Sequence, residues 1–183
     1  MKRLLLTTAI LAVMAATPRI ARSMDCPMHK ASAGKPIHQH AGNCPMKDHS
    51  ASVDQHGDAI MGFAHDKTTH HFVLSATGGS IEVTSNDPKD ETSMLAIRSH
   101  LTTIAKQFSE GNFDAPMRIH ETTPPGVETM KASKAIRYRY ESLPAGGRLR
   151  LTTEDRQSIG ALHDFLRFQI DEHRTGDPKT VQD

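Results

Sequence analysis

Two short segments near the start of the chain carry the residue types that bind soft metal ions. Residues 26–29 read Cys-Pro-Met-His, and residues 44–47 read Cys-Pro-Met-Lys, with His49 two positions further on. Thiolate and thioether sulfur select Cu(I), whereas imidazole suits copper, zinc and nickel. The two segments therefore predict a metal site, with Cu(I) as the favoured ion.

The metal-ligating residue types concentrate in one part of the chain. Residues 24–71 contain eight of the 12 histidines, both cysteines and four of the nine methionines. Zinc remains the alternative ion, because the two cysteines and two nearby histidines would complete a tetrahedral set without methionine. The candidate ligands in this region are Cys26, Met28, His29, His38, His40, Cys44, Met46, His49, His70 and His71.

Residues 26–29 resemble the Cys-Pro-Met-His segments in the heavy-metal-binding regions that precede many copper-transporting P-type ATPases and related efflux proteins. The resemblance covers four residues, and the second copy has Lys47 in place of the histidine, so that an independent second site needs His49 as a substitute. The resemblance implies metal handling with copper as the cargo, and a copper efflux or delivery protein as the partner.

Two other interpretations of the cysteines and histidines stay open. In an oxidising compartment Cys26 and Cys44 could form a disulfide, whose loop closure contributes roughly 3 kcal/mol in the chain-entropy account. Alternatively, the histidine-rich stretch is a solvated linker.

The first 23 residues have the pattern of a secretory signal. Lys2 and Arg3 precede an apolar run over residues 4–16, which is too short to remain in a bilayer as a spanning helix. Cleavage could follow Ala15 or Ser23. We expect residues 1–23 to be removed and the mature protein to be periplasmic or secreted, without membrane insertion.

Composition divides the remaining chain into three parts. The 22 basic and 21 acidic residues nearly balance, so no nucleic-acid partner is expected. Residues 24–60 have very few large apolar side chains and are predicted to be a flexible, metal-ligand-rich arm. Residues 61–176 are predicted to form an α+β domain, and residues 177–183 a tail.

An internal repeat predicts the fold of the domain. Residues 72–83 and 138–151 each read as two alternating strands around a Gly-Gly pair, and the two pairs lie 68 positions apart. Glycine is expected to supply the positive φ of each turn. A polar cluster and a helical apolar stripe follow each hairpin. We therefore expect a ββαββα two-layer sandwich, with a four-stranded antiparallel sheet and both helices on one face.

A second set of histidines belongs to this domain. His100 and His163 flank the apolar stripes of the two helices, at places that the repeat indicates are related, and His120 lies in the connecting loop. Three converging histidines with an open position would suit a catalytic or redox metal, although a backbone carbonyl or Asp164 could satisfy such rings instead. His173 is predicted to be a cation at the negative end of its helix dipole. The candidate ligands in the domain are His70, His71, His100, His120 and His163.

Catalytic signatures are missing from the sequence. It contains no Gly-x-Ser-x-Gly, phosphate loop, His-Glu-x-x-His or Cys-x-x-Cys pattern, so no catalytic residue is predicted. The outward face of the sheet is rich in arginine, which could bind an anion or pair with Glu82 and Glu141.

Two hypotheses follow. In the first, an exported protein captures copper through its arm. In the second, the domain is a histidine-ligated metal-dependent enzyme or an anion-binding module, and the arm loads the metal or is only a linker.

Overall fold

A computed structural model of the chain describes residues 45–182, and the side chains from His49 onward. The order of its helices and strands is the one that the repeat predicts, with one additional helix before the first hairpin and two additional helices between the two ββα halves. The elements are α1 (Pro45–Met61), β1 (Thr68–Ser75), β2 (Gly78–Ser85), α2 (Glu91–Ser109), α3 (Asp114–Ile119), α4 (Val127–Ala132), β3 (Arg137–Leu143), β4 (Gly146–Thr152) and α5 (Arg156–Glu172).

The four strands form one antiparallel sheet in the order β1-β2-β4-β3. Helix α5 packs on β1 and β2, and helix α2 packs on β3 and β4. Alternate strand residues point into this layer, among them Phe72, Leu74, Leu149 and Leu151, which are all at most 2% exposed. The expected α+β sandwich, with both helices on one face of the sheet, is confirmed.

The prediction that the glycine pairs form the turns of the hairpins is wrong. Ser75 pairs with Gly78 and Leu143 pairs with Gly146, so the turns are 76–77 and 144–145 and each glycine pair opens the next strand. A Cβ on Gly79 would collide with the carbonyl oxygen of Val73 in β1 and with Cδ1 of Leu166 in α5. Gly79 is therefore needed for the close approach of both the neighbouring strand and the helix.

Helices α2 and α5 begin in the same way. The carboxylates of Asp90 and Asp155 accept hydrogen bonds from the backbone N–H groups of Ser93 and Ser158, which caps each helix. The two caps lie 65 positions apart (155 − 90), whereas the glycine pairs lie 68 apart. The second half therefore reaches its helix three residues sooner, and equivalent helical positions in the two halves differ by 65.

Residues 45–60, predicted to be the end of a flexible arm, are helical and belong to α1. Val53, Gly57 and Met61 follow one another at every fourth position and are all buried, and α1 packs on α3 and α2. An ion pair between Arg174 and Asp54, at 2.9 Å, holds the same helix. So narrow a buried stripe leaves the composition polar, which is why composition alone predicted an arm. None of the helices within residues 45–182 is long and apolar enough to cross a membrane.

The described part of the predicted tail makes hydrogen bonds to edge strand β1. The N–H of Phe72 donates to Oδ2 of Asp177 at 2.9 Å, and the N–H of Gln182 donates to the carbonyl of Leu74 at 2.8 Å. These bonds satisfy backbone groups on the side of β1 that has no neighbouring strand, which limits pairing with other chains.

Candidate metal centre

Four histidines from separate elements meet at one end of the domain. His70 lies in β1 and His100 in α2, and His120 and His173 are the C-cap residues of α3 and α5. All four line one cavity of about 60 Å³, together with Met61 at the end of α1. We call these four residues the histidine cluster.

Three rings of the cluster, those of His70, His120 and His173, lie close to one another, with His173 in the middle. The ring of His100 instead packs edge-on against that of Phe63, with the centroids 5.8 Å apart. The ring centroid of His173 lies 5.4 Å from that of His70, at an interplanar angle of 12°, and 5.1 Å from that of His120, at 88°. Because an imidazole lone pair lies in the plane of its ring, the perpendicular rings can address a common point. The stacked pair, His70 and His173, can do so only after one ring rotates.

Burial keeps the cluster uncharged at neutral pH. It lowers the pKa of His70 and of His100 from 6.5 to about 4, and that of His173 to about 3; repulsion from neighbouring histidines adds to the effect at His70 and His173. Burial also lowers the pKa of His120. Neutral imidazole is the form that binds metal ions. The prediction that His173 is a cation is wrong, because its desolvation outweighs the attraction of the helix dipole.

Two ring nitrogens of the cluster are buried without a hydrogen-bond partner among the described residues. They are Nε2 of His70 and Nδ1 of His120. The other nitrogen of His120, Nε2, lies 3.0 Å from Oε1 of Gln169. An unsatisfied buried polar atom costs about 1–3 kcal/mol, so both nitrogens are natural positions for a ligand.

The repeat shows that the fold itself does not require polar groups here. In the first half, α2 places the buried residues Ile104 and Phe108 in the core. The equivalent positions of α5, 65 residues later, are Gln169 and His173. Since the same scaffold accepts hydrocarbon at these positions, the fold alone does not account for the histidine and the glutamine.

His163 lies outside the cluster and ties α5 to the first hairpin. Its Nε2 lies 2.9 Å from the carbonyl oxygen of Ser75. Arg98, its equivalent in α2, donates in the same way to carbonyls of the second hairpin turn, including that of Pro144 at 2.9 Å. The prediction that His100 and His163 are related is therefore wrong. They lie 63 rather than 65 positions apart, and two residues correspond to about 200° of rotation around a helix.

The remaining predicted ligands are dispersed or not described. His71 bonds to Asp177 with Nδ1 at 2.9 Å, and His49, on α1, lies 2.8 Å from Glu172. Met46 lies in α1, at a position whose side chain is not described. Within the described residues, no three His, Cys, Asp or Glu side chains are already arranged to hold a metal ion. The candidates outside the described residues are Cys26, Met28, His29, His38, His40 and Cys44.

Sequence reasoning missed Met61, Gln169 and His173 as members of the site. A signal for the last two was present in the sequence: alignment of the helices on their capping aspartates sets these polar residues opposite Ile104 and Phe108. No such signal marks Met61, which lies at the site only because α1 folds onto the domain.

The arginines of the outward sheet face are largely engaged in ion pairs. Nε of Arg148 lies 2.6 Å from Oε1 of Glu82, and Nε of Arg150 lies 2.9 Å from Glu141. Arg139 also pairs with Glu141, at 2.8 Å. The expected pairing with both glutamates is confirmed, and it leaves these guanidinium groups less positive charge to offer an anion.

No model of a protein family, no curated protein and no solved structure matches this chain. Its function is therefore inferred from the residues and the geometry of the site.

Proposed function

We propose that this protein is an exported metal-binding protein whose cargo is copper, held by the Cys/Met/His segments of the arm and by the histidine cluster of the domain. The observation that carries the proposal is the convergence of four uncharged imidazoles on one cavity. Imidazole and the thioether of Met61 form a soft ligand set that suits copper, with zinc as the alternative for imidazole alone.

The electrostatics at this end of the domain favour a metal ion over a proton. Helix α5 ends at the cluster, and the carboxyl end of a helix carries a partial negative charge that attracts cations. The lowered pKa values of His70, His100 and His173 mean that protons do not supply this positive charge at neutral pH. A metal ion that binds to the lone pairs would supply it.

The cavity provides the room that coordination needs. A volume of about 60 Å³ exceeds the roughly 10–15 Å³ that one water molecule requires on the same measure, so a ring can rotate and an ion can enter. Rotation of His70 or His173 would break their stacking. Met61 and the perpendicular pair of His120 and His173 need less rearrangement.

Export and delivery complete the proposal. The signal-like residues 1–23 would direct the chain to the periplasm or beyond, and the arm would exchange copper with an efflux or delivery protein. No catalytic step is proposed.

A competition titration tests the proposal. The chain without residues 1–23 is titrated with Cu(I) against a chromophoric chelator under reducing conditions, and with Zn²⁺ in parallel. The variants are Cys26→Ser/Cys44→Ser and the same chain with His100→Phe and His173→Phe added. Phenylalanine is the chosen substitute because Phe165 and Phe108 occupy the equivalent positions of the other half. His163→Gln is the control for a histidine outside the cluster.

We expect the Cys variant to lose part of its copper binding and the combined variant to lose nearly all of it, while His163→Gln behaves as its parent. Retention of Cu(I) affinity by the combined variant would contradict the proposal, and so would failure of the intact chain to compete for either metal.

A further inference from the structure

A single carboxylate oxygen links α1 to the buried end of the domain. Oε2 of Glu172, the last residue of α5, lies 2.8 Å from Nε2 of His49 in α1. The same oxygen lies 3.4 Å from Nδ1 of His120, at the end of α3. Three helices thus contribute one potential metal ligand each.

The hydrogen bonding of His120 leaves a lone pair directed at this carboxylate. With the amide of Gln169 oriented so that Oε1 lies 3.0 Å from Nε2 of His120, the oxygen accepts and the proton of His120 is on Nε2; Nε2 of Gln169 is then also buried without a hydrogen-bond partner among the described residues. The lone pair is then on Nδ1, which is buried and has no hydrogen-bond partner among the described residues. His120 is 2% exposed. An imidazole lone pair and a carboxylate repel each other at 3.4 Å unless a cation lies between them.

The spacing of the two atoms suits a metal ion. Ligand atoms about 2.0–2.1 Å from a tetrahedral zinc ion lie roughly 3.3 Å from each other. The distance between Nδ1 of His120 and Oε2 of Glu172 is 3.4 Å. Two ligands are therefore already at the separation that a tetrahedral ion would require.

We propose that His49, His120 and Glu172 bind a divalent metal ion, Zn²⁺ or Cu²⁺, where α1 meets α3 and α5. An imidazole and carboxylate set of this kind suits a harder ion than the sulfur ligands of the arm do. His49, whose side chain is 51% exposed, exchanges its hydrogen bond to Glu172 for a bond to the ion, and the fourth position remains open. This inference rests on the proposed function for the class of cargo, and it adds Glu172 as a ligand and a specific location.

Binding at this place has a structural consequence. Helix α1 buries few large apolar side chains on the domain, chiefly Val53 and Met61. An ion that joins His49 to two residues of the domain would fasten α1 to the domain, because a ligand of the docked state stabilises that state. It would thereby also hold Met61, at the end of α1, in its place at the histidine cluster.

The test uses Co²⁺ as a spectroscopic probe and Zn²⁺ as its competitor, on the chain without residues 1–23 and with Cys26→Ser/Cys44→Ser. The variants are Glu172→Gln, which keeps the shape of the side chain, and His49→Ala, which changes an exposed residue. Glu121→Gln is the matched control, since it removes a carboxylate that lies 3.8 Å from His56, which is on α1 like His49. Circular dichroism melting checks that each variant is folded.

We expect the parent to bind one Co²⁺ with the visible absorption of a tetrahedral site, and Glu172→Gln and His49→Ala to weaken Co²⁺ and Zn²⁺ binding by about 10–100-fold or more. Glu121→Gln should retain the affinity of the parent. Unchanged affinity in both test variants would overturn the inference. So would nitrogen NMR that finds the proton of His120 on Nδ1 in the metal-free protein, because that proton would satisfy the carboxylate without an ion.

The outcomes separate this inference from the proposed function. If the Cys26→Ser/Cys44→Ser/His100→Phe/His173→Phe chain loses Cu(I) binding while Glu172→Gln keeps its Zn²⁺ affinity, only the site at His49, His120 and Glu172 is refuted. If instead that chain keeps its Cu(I) affinity and Glu172→Gln loses Zn²⁺ affinity, the site at His49, His120 and Glu172 is supported and the copper site in the histidine cluster is refuted.

Discussion

Acid should destabilise the metal-free protein well above the pH at which its carboxylates are protonated. Unfolding exposes His70, His100 and His173 and returns each to an ordinary pKa of 6.5, from folded values of about 4, 4 and 3. Between these values the unfolded chain binds protons that the folded chain does not. Stability from this source is therefore complete above about pH 6.5 and is lost as the pH falls towards 4.

The magnitude follows from the size of the shifts. At about pH 5 each histidine is some 1.5 units below its unfolded pKa, and one unit corresponds to about 1.4 kcal/mol, so each contributes a loss of about 2 kcal/mol. The three together cost about 6 kcal/mol, which is comparable with the whole stability of about 5–15 kcal/mol expected for a domain. Asp90 and Asp155, whose pKa values are lowered from 3.8 by the capping hydrogen bonds, become relevant only in stronger acid.

Urea unfolding followed by circular dichroism measures this effect, since the chain has no tryptophan. The free energy of unfolding is determined in the presence of a metal chelator at several values between about pH 7.5 and pH 5. His173→Phe should reduce the number of protons taken up on unfolding by about one of the three. A loss of less than about 1 kcal/mol between pH 6.5 and pH 5 would show that the rings are not desolvated as described.

Two further predictions concern glycine and the chain terminus. Gly79→Ala should destabilise the domain by about 1–3 kcal/mol in urea unfolding, because its Cβ would collide with Leu166. The control is Gly160→Ala, in open space on α5, which should stabilise the domain by up to about 1 kcal/mol. Equal effects of the two substitutions on the free energy of unfolding would disprove the packing role of Gly79. Removal of residues 177–183 should speed hydrogen exchange of the Phe72 amide, measured by NMR, and should promote self-association, measured by light scattering. An unchanged exchange rate would show that the tail does not protect β1.

The ββαββα order, the sheet and the helix faces were predictable because they depend on local patterns. Alternation along β1 and β4 and the spacing of Ile97 and Leu101 follow directly from the periods of strands and helices. The place of the turns was less certain: a Gly-Gly pair suits a turn and a close helix contact equally, and only the packing of Leu166 on Gly79 decides between them.

The site itself was determined by tertiary structure. The sequence alone showed that this chain is rich in histidine and methionine and has two cysteines, and it predicted His70, His100 and His120 among the candidate ligands. It could not show that these three meet His173 while His163 faces a hairpin carbonyl, because convergence depends on which helix faces the packed halves bury. Nor could it show that His173 is neutral, since its pKa is set by burial, and burial arises only when β1, α3 and α5 come together.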